Sequence, residues 1–175
     1  MWKSAARSDM EFEVIQGDIA AQSADALVNA ANTSLRMGSG VAGALKRAAG
    51  GGLDKEAVSK GPVGLGGVAA TDAYELDAEY VIHAAAMPPG GQSTGESIRD
   101  AARNALAEAD ALGCESVVLP AIGCGIAGFD FDSGVRIICE EIAAFEPDSL
   151  SDVRLVAYDD TDYEAMRRIA DEVRE

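Results

Sequence analysis

Apolar positions along this chain switch repeatedly between a period of two and a period near 3.6. Residues 11–16 alternate polar and apolar, which predicts a half-exposed strand. Ala26, Leu27, Val28 and Asn29 form a short apolar strand. Residues 41–49 read as a helix with Val41, Leu45 and Ala48 on one face. Residues 50–67 are rich in glycine and predict a loop around a short helix at 54–60. Segments 68–71 and 80–84 read as strands, and 87–91 as a loop. Ser93 with Glu96 then fits a capping box, and Gly113 fits a helix stop. Between them Ile98, Ala102, Ala105, Ala109 and Leu112 recur at helical spacing. Segment 116–119 is a buried strand. Residues 132–145 form a helix with Val135, Ile138, Cys139 and Ile142 inward. Segment 153–158 is the last strand. Thr161 with Glu164 caps a final helix that carries Met166, Ile169, Ala170 and Val173 on its apolar face. Strands alternating with helices predict an α/β fold, with a sheet of about six strands covered on both faces.

Composition narrows the class. The chain has 175 residues, 48% of them hydrophobic, enough for one domain with a real core over residues 10–175. Residues 1–9 precede a second methionine, Met10, and read either as a disordered extension or as a stretch ahead of a translation start at Met10. No run of about 18 apolar residues exists, so no membrane span is expected. The first residues lack the apolar stretch of a signal peptide, which points to the cytoplasm. Cys114, Cys124 and Cys139 have no metal-like spacing and fit reduced thiols. Thirty acids against fourteen Lys and Arg give a formal charge of −16. Such a surface repels phosphate backbones and argues against a long nucleic acid as partner. The acids are spread along the chain, as expected for a halophilic protein working in a salt-rich cytosol.

Two glycine loops carry the candidate chemistry. Gly38-Ser39-Gly40-Val41-Ala42-Gly43 and Gly123-Cys124-Gly125-Ile126-Ala127-Gly128 both match G-x-G-x-x-G. A dinucleotide fingerprint follows a strand at once and is answered by an acid at the next strand end. The first loop fails the former test and the second loop fails the latter. Both still place bare backbone and a helix start downstream of a strand, the chemistry of a diphosphate cradle. Ligands of open α/β sheets sit at the carboxyl ends of strands. Asp18, Asn32, residues 123–128 and Tyr158 all fall just past such an end.

Each residue has a plainer role beside the functional one. Asp18 suits a helix N-cap, and it also suits acceptance from an adenine amine. Asn29 is expected to hold the turn, and Asn32 to offer its amide to ribose hydroxyls. His83, the single histidine, sits among apolar neighbours and reads as structural. With no second histidine and no cysteine pair, no metal site is expected; no cofactor is expected either. Cys124 stands near a helix start, which could lower its pKa, but no general base is in sequence reach of it. Tyr158 suits a core rim or a stacked base.

Together these residues match a family. The order and spacing of Gln16-Gly17-Asp18-Ile19, segment 26–32, segment 38–45, Tyr80-Val81-Ile82-His83 and segment 120–126 resemble the macro domain, the ADP-ribose-binding module, from about residue 11 to 174. The resemblance implies a three-layer α/β/α sandwich around a mixed sheet. It implies that Asp18 reads the adenine amine, with the Ile19 N–H beside it, and that Tyr158 packs on the adenine. Asn32 would face the distal ribose. Gly38, Ser39, Gly40 and Val41, with Gly123, Cys124, Gly125, Ile126 and Ala127, would enclose the diphosphate and distal ribose. Family members that hydrolyse ADP-ribosyl bonds often carry Asp where this chain has Ala42, which leaves no obvious general base. Ser39 replaces a usual glycine, Ala127 a frequent aromatic, and Cys124 a common Ser, Thr or Ala.

The expected function is binding of ADP-ribose and its derivatives. Turnover would act on mono-ADP-ribosyl adducts, O-acetyl-ADP-ribose or ADP-ribose-1″-phosphate, through water held by Asn32 and polarised by the ligand's own phosphate. A non-catalytic reader of ADP-ribosylated partners is the alternative. A binder of terminal RNA nucleotides is weaker. The residues leave turnover open.

Overall fold

The computed structural model describes residues 10–125 and 128–175. The expected extension at 1–9, and the site candidates Ile126 and Ala127, lie outside the described residues. The strands are β1 (Glu11–Gln16), β2 (Ala26–Asn32), β3 (Val68–Asp72), β4 (Tyr80–Met87), β5 (Ser116–Leu119) and β6 (Asp152–Ala157). The helices are α1 (Gly40–Ala49), α2 (Leu53–Ser59), α3 (Gly95–Ala111), α4 (Phe131–Ala144) and α5 (Asp160–Arg174). A 3-10 turn covers Ile19–Ala21.

The six strands form one sheet in the order β1-β6-β5-β2-β4-β3. All neighbouring pairs are parallel except β3 with β4. The sheet is therefore mixed and sandwiched between helices, as the alternation of elements predicts. Central strands buried on both faces need continuous apolar runs. Val117 and Leu119 accordingly point to one core and Val118 to the other. One core lies under α3, α4 and α5 and includes Ile98, Leu106, Ile138 and Ile169. The other lies under α1 and α2 and includes Leu27, Leu45, Leu53 and Val81. The edge strand β1 turns Glu11 and Glu13 outward, and such charges discourage pairing with another chain.

Several local expectations are corrected. β2 runs on to Asn32 and β4 to Met87, because small alanines pack as strand between neighbouring strands. Asn29 is consequently mid-strand and holds no turn. The buried face of α1 is Ala42, Leu45 and Ala49; Ala48 is exposed. The cap of α3 is Thr94, not Ser93. Thr94 Oγ1 accepts from Ser97 N at 3.0 Å, and Ser97 Oγ accepts from Thr94 N at 2.9 Å. Serine returns the bond that Glu or Gln usually supplies, so the sequence rule for capping boxes passes over it. Asp159 rather than Thr161 caps α5, accepting from Asp162 N at 2.8 Å. Gly113 does end α3. Its φ is 81°, its N–H reaches Asp110 O, and Cys114 N reaches Ala109 O, which is a Schellman arrangement.

Candidate functional site

The strand order creates a crevice. β5 leads into α4 on one face, while its neighbour β2 leads into α1 on the other. Connections diverge there, and ligands of such sheets enter at that point. Two adjoining hollows open at these carboxyl ends. The first lobe has a cavity volume of about 310 Å³ and is bounded by Ala30, Ala31, Ser39 to Val41 and Gly123 to Gly125. The second has about 380 Å³ and is bounded by Gly17, Asp18, Ile19 and Arg47. Gly40, Val41, Pro120, Val156 and Tyr158 line both, so the lobes meet at a shared waist.

Each wall follows from local structure. Asp18 lies two residues past β1 and caps the 3-10 turn, its Oδ1 accepting from Ala20 N at 2.9 Å. Its second carboxylate oxygen has no hydrogen-bond partner among the described residues. Tyr158 follows β6 and is 80% exposed, so it is an open aromatic face rather than core rim. Ser39 precedes α1 but makes no side-chain cap bond, which leaves the first-turn N–H groups at the cleft without that partner. Gly43 lets the loop fold against α1: a Cβ there would meet Gly38 O at 2.7 Å. Gly38 itself lines neither lobe.

The second glycine loop is tied down from outside. Ser93 Oγ donates to Gly123 O at 2.6 Å. Gly123 has φ 78°, and a Cβ there would approach Ile98 and Ser93 to 2.8 Å. Both the backbone conformation and the space therefore require glycine. The Gly123 and Gly125 N–H groups have no acceptor among the described residues. Cys124 lines the first lobe, but its thiol packs against Gly134 of α4. Burial pushes it up to about 12, with Asp130 and Asp162 adding to the rise. The nearby helix start does not offset that burial.

Asn32 does not line either lobe. Its Oδ1 is turned back onto Ser34, accepting from N at 2.9 Å and from Oγ at 2.6 Å. Asn32, not Asn29, thus holds the turn. Asn29 Nδ2 donates to His83 Nδ1 at 3.0 Å, and the opposite ring nitrogen faces Thr71 Oγ1 at 3.1 Å. Thr71 Oγ1 donates on to Asp72 O. This order of donors assigns the imidazole proton to Nε2. Burial pushes His83 down to about 4, so it is a neutral structural bridge across three strands. Ala42 is buried in the α1 core.

Two charged residues of the cleft lie outside the expected site. Arg47, a cation of α1 just past the first glycine loop, lines the second lobe. Asp162 lines the first lobe. Its signal was present: it stands four residues before Met166, on the inward face of the last helix.

A family model described as Macro domain matches residues 28–138. The chain belongs to the Macro domain family. A Mycobacterium tuberculosis relative of uncharacterised function is 42% identical over 153 residues, covering 87% of this chain and 43% of the relative. This macro domain thus spans under half the length of that protein. An uncharacterised Aquifex aeolicus protein is 38% identical over 91% of this chain and 98% of its own length. Among solved structures, a mutant Oceanobacillus iheyensis macrodomain with ADPR superposes with TM-score 0.82 at 28% identity, covering 95% of this chain and 93% of that one. A Trypanosoma brucei macrodomain in complex with ADP-ribose gives TM-score 0.80 at 26% identity, covering 90% and 68%.

Proposed function

We propose that this macro domain binds ADP-ribose and its derivatives. The observation that carries the reading is the two-lobed cleft, which has an acid and an open aromatic at one end and bare loop N–H groups at the other. Adenine enters the second lobe, its amine on Asp18 and its face on Tyr158. The diphosphate enters the first lobe, between the start of α1 and residues 123–125. Oriented N–H groups hold an anion without net positive charge, which reconciles the site with a molecule of charge −16. The terminal ribose reaches toward Ala31 and the Asn32 turn. A Trypanosoma brucei macrodomain in complex with ADP-ribose supports this class of ligand. The acidic surface disfavours long nucleic acid, and the reading implies a cytoplasmic protein in a salt-rich interior.

Turnover, where it occurs, uses the ligand. The cleft presents Asp18 and Asp162 as its carboxylates, and Ala42 contributes none. Asn32 Oδ1 is occupied by Ser34, so its Nδ2 is the atom left to orient water near the terminal ribose. The ligand's phosphate polarises that water, and loop N–H groups stabilise the developing charge. The candidate substrates are mono-ADP-ribosylated carboxylates, O-acetyl-ADP-ribose and ADP-ribose-1″-phosphate. The buried Ala42 favours a second reading, a binding module without turnover. Incubation with a mono-ADP-ribosylated protein separates the two. Release of free ADP-ribose above a no-enzyme control, lost in Asn32→Ala while binding persists, supports hydrolysis. Retention without release supports the reader.

A further inference from the structure

The first lobe is walled by backbone and uncharged side chains, with one charged residue among its described lining, Asp162. Met166 follows one turn later on α5 and lines the same lobe, so this helix face turns inward. The Asp162 N–H is spent on Asp159, but its carboxylate has no hydrogen bond or ion pair among the described residues. Burial, and then the neighbouring Asp159, push its pKa up. Its field reaches the second glycine loop, where it contributes to the raised Cys124 thiol. A bare carboxylate opposes an anionic ligand unless the ligand brings donors to it.

A nucleotide placed as proposed brings such donors. The ribose between base and diphosphate must cross the waist at Val156 and Tyr158, which both lobes share. Asp162 lies four residues beyond Tyr158, on the first-lobe side of that waist. A ribose diol offers two O–H donors, and a carboxylate has the lone pairs to accept both. The same carboxylate repels a phosphate attached there, as acids do in dinucleotide sites that select an unphosphorylated ribose. We propose that Asp162 reads the free hydroxyls of the base-linked ribose and rejects ligands phosphorylated on it. The inference rests on the ADP-ribose reading of the cleft.

Calorimetric titration of ADP-ribose and of ADP-ribose 2′-phosphate into the wild type, Asp162→Asn and Asp162→Ala tests it. The wild type is expected to bind the phosphorylated compound weaker by about tenfold or more. Both variants are expected to narrow that ratio to about threefold or less, mainly by gaining affinity for the phosphorylated compound. Equal wild-type affinities, or a ratio unchanged in folded variants, overturn the role of Asp162 and leave the ADP-ribose site standing. Tighter wild-type binding of the phosphorylated compound also overturns it and points to Arg47 as a phosphate partner. Binding of neither compound overturns the site assignment and this inference together.

Discussion

His83 shows most directly what burial does to a side chain here. Its folded pKa is about 4 against an ordinary 6.5, because the sheet and α1–α2 layer exclude water from its charged form. As pH falls, the unfolded chain takes up the proton first. The stabilisation is whole above about pH 6.5 and erodes between 6.5 and 4, a loss on the order of 3 kcal/mol. As the chain has one histidine, its ring resonance is unambiguous by NMR. It should not titrate between pH 5.5 and 8; an inflection near 6.5 would contradict the buried bridge. At the cleft, Tyr158→Ala should weaken ADP-ribose binding by about 1–3 kcal/mol, the worth of a stacked base. Calorimetry measures it, and an unchanged affinity would remove Tyr158 from the site. That Asp18 and Tyr158 stand at the cleft, and that His83 is structural, was legible in the sequence from strand ends and apolar neighbours. The roles of Asn29 and Asn32 were not. Runs of alanine carry little strand preference, so the end of β2 was placed three residues early.

Elements explain how the loops keep their shape. The second glycine loop hangs between Ser93, which grips Gly123 O, and α4, where Gly134 leaves room for Cys124 Sγ. Gly134→Ala drives a methyl into that sulfur and should cost about 1–3 kcal/mol in denaturant melts. Cys124→Ala removes the obstacle, so the double variant should recover most of the loss. Simple additivity would show that the contact is not what excludes a side chain at Gly134. The periodic elements, their order and the three layers were readable from the chain, because apolar spacing records which face is buried. Caps were less so. Thr94 uses Ser97 where the usual rule looks for Glu, and Asp159 competes with Thr161 for the start of α5. Asp162 was hidden for a related reason: an acid in a first helical turn looks like dipole compensation until the neighbouring loop gives it a cleft.

At the scale of the whole molecule, excess negative charge is the dominant electrostatic fact. Among the described residues most cations are paired on the surface, such as Arg99 with Glu140 and Glu141, and Arg168 with Asp132 and Glu172. Arg36, Arg47 and Lys55 have no carboxylate partner there. The remaining acids repel one another, and salt screens that repulsion within about 10 Å at 0.1 M and about 3 Å at 1 M. The melting temperature should therefore rise from low to molar potassium chloride, and a flat or falling profile would contradict a halophilic surface. Ligand affinity should change much less if, as proposed, backbone N–H groups rather than surface cations hold the phosphates. The central claim is that the two lobes read both ends of one nucleotide diphosphate. Isothermal titration of ADP-ribose in molar potassium chloride, with NAD and AMP as comparators, tests it most directly. Micromolar binding of ADP-ribose, clearly tighter than either comparator, is the predicted result. No binding, or a preference for NAD, would contradict it.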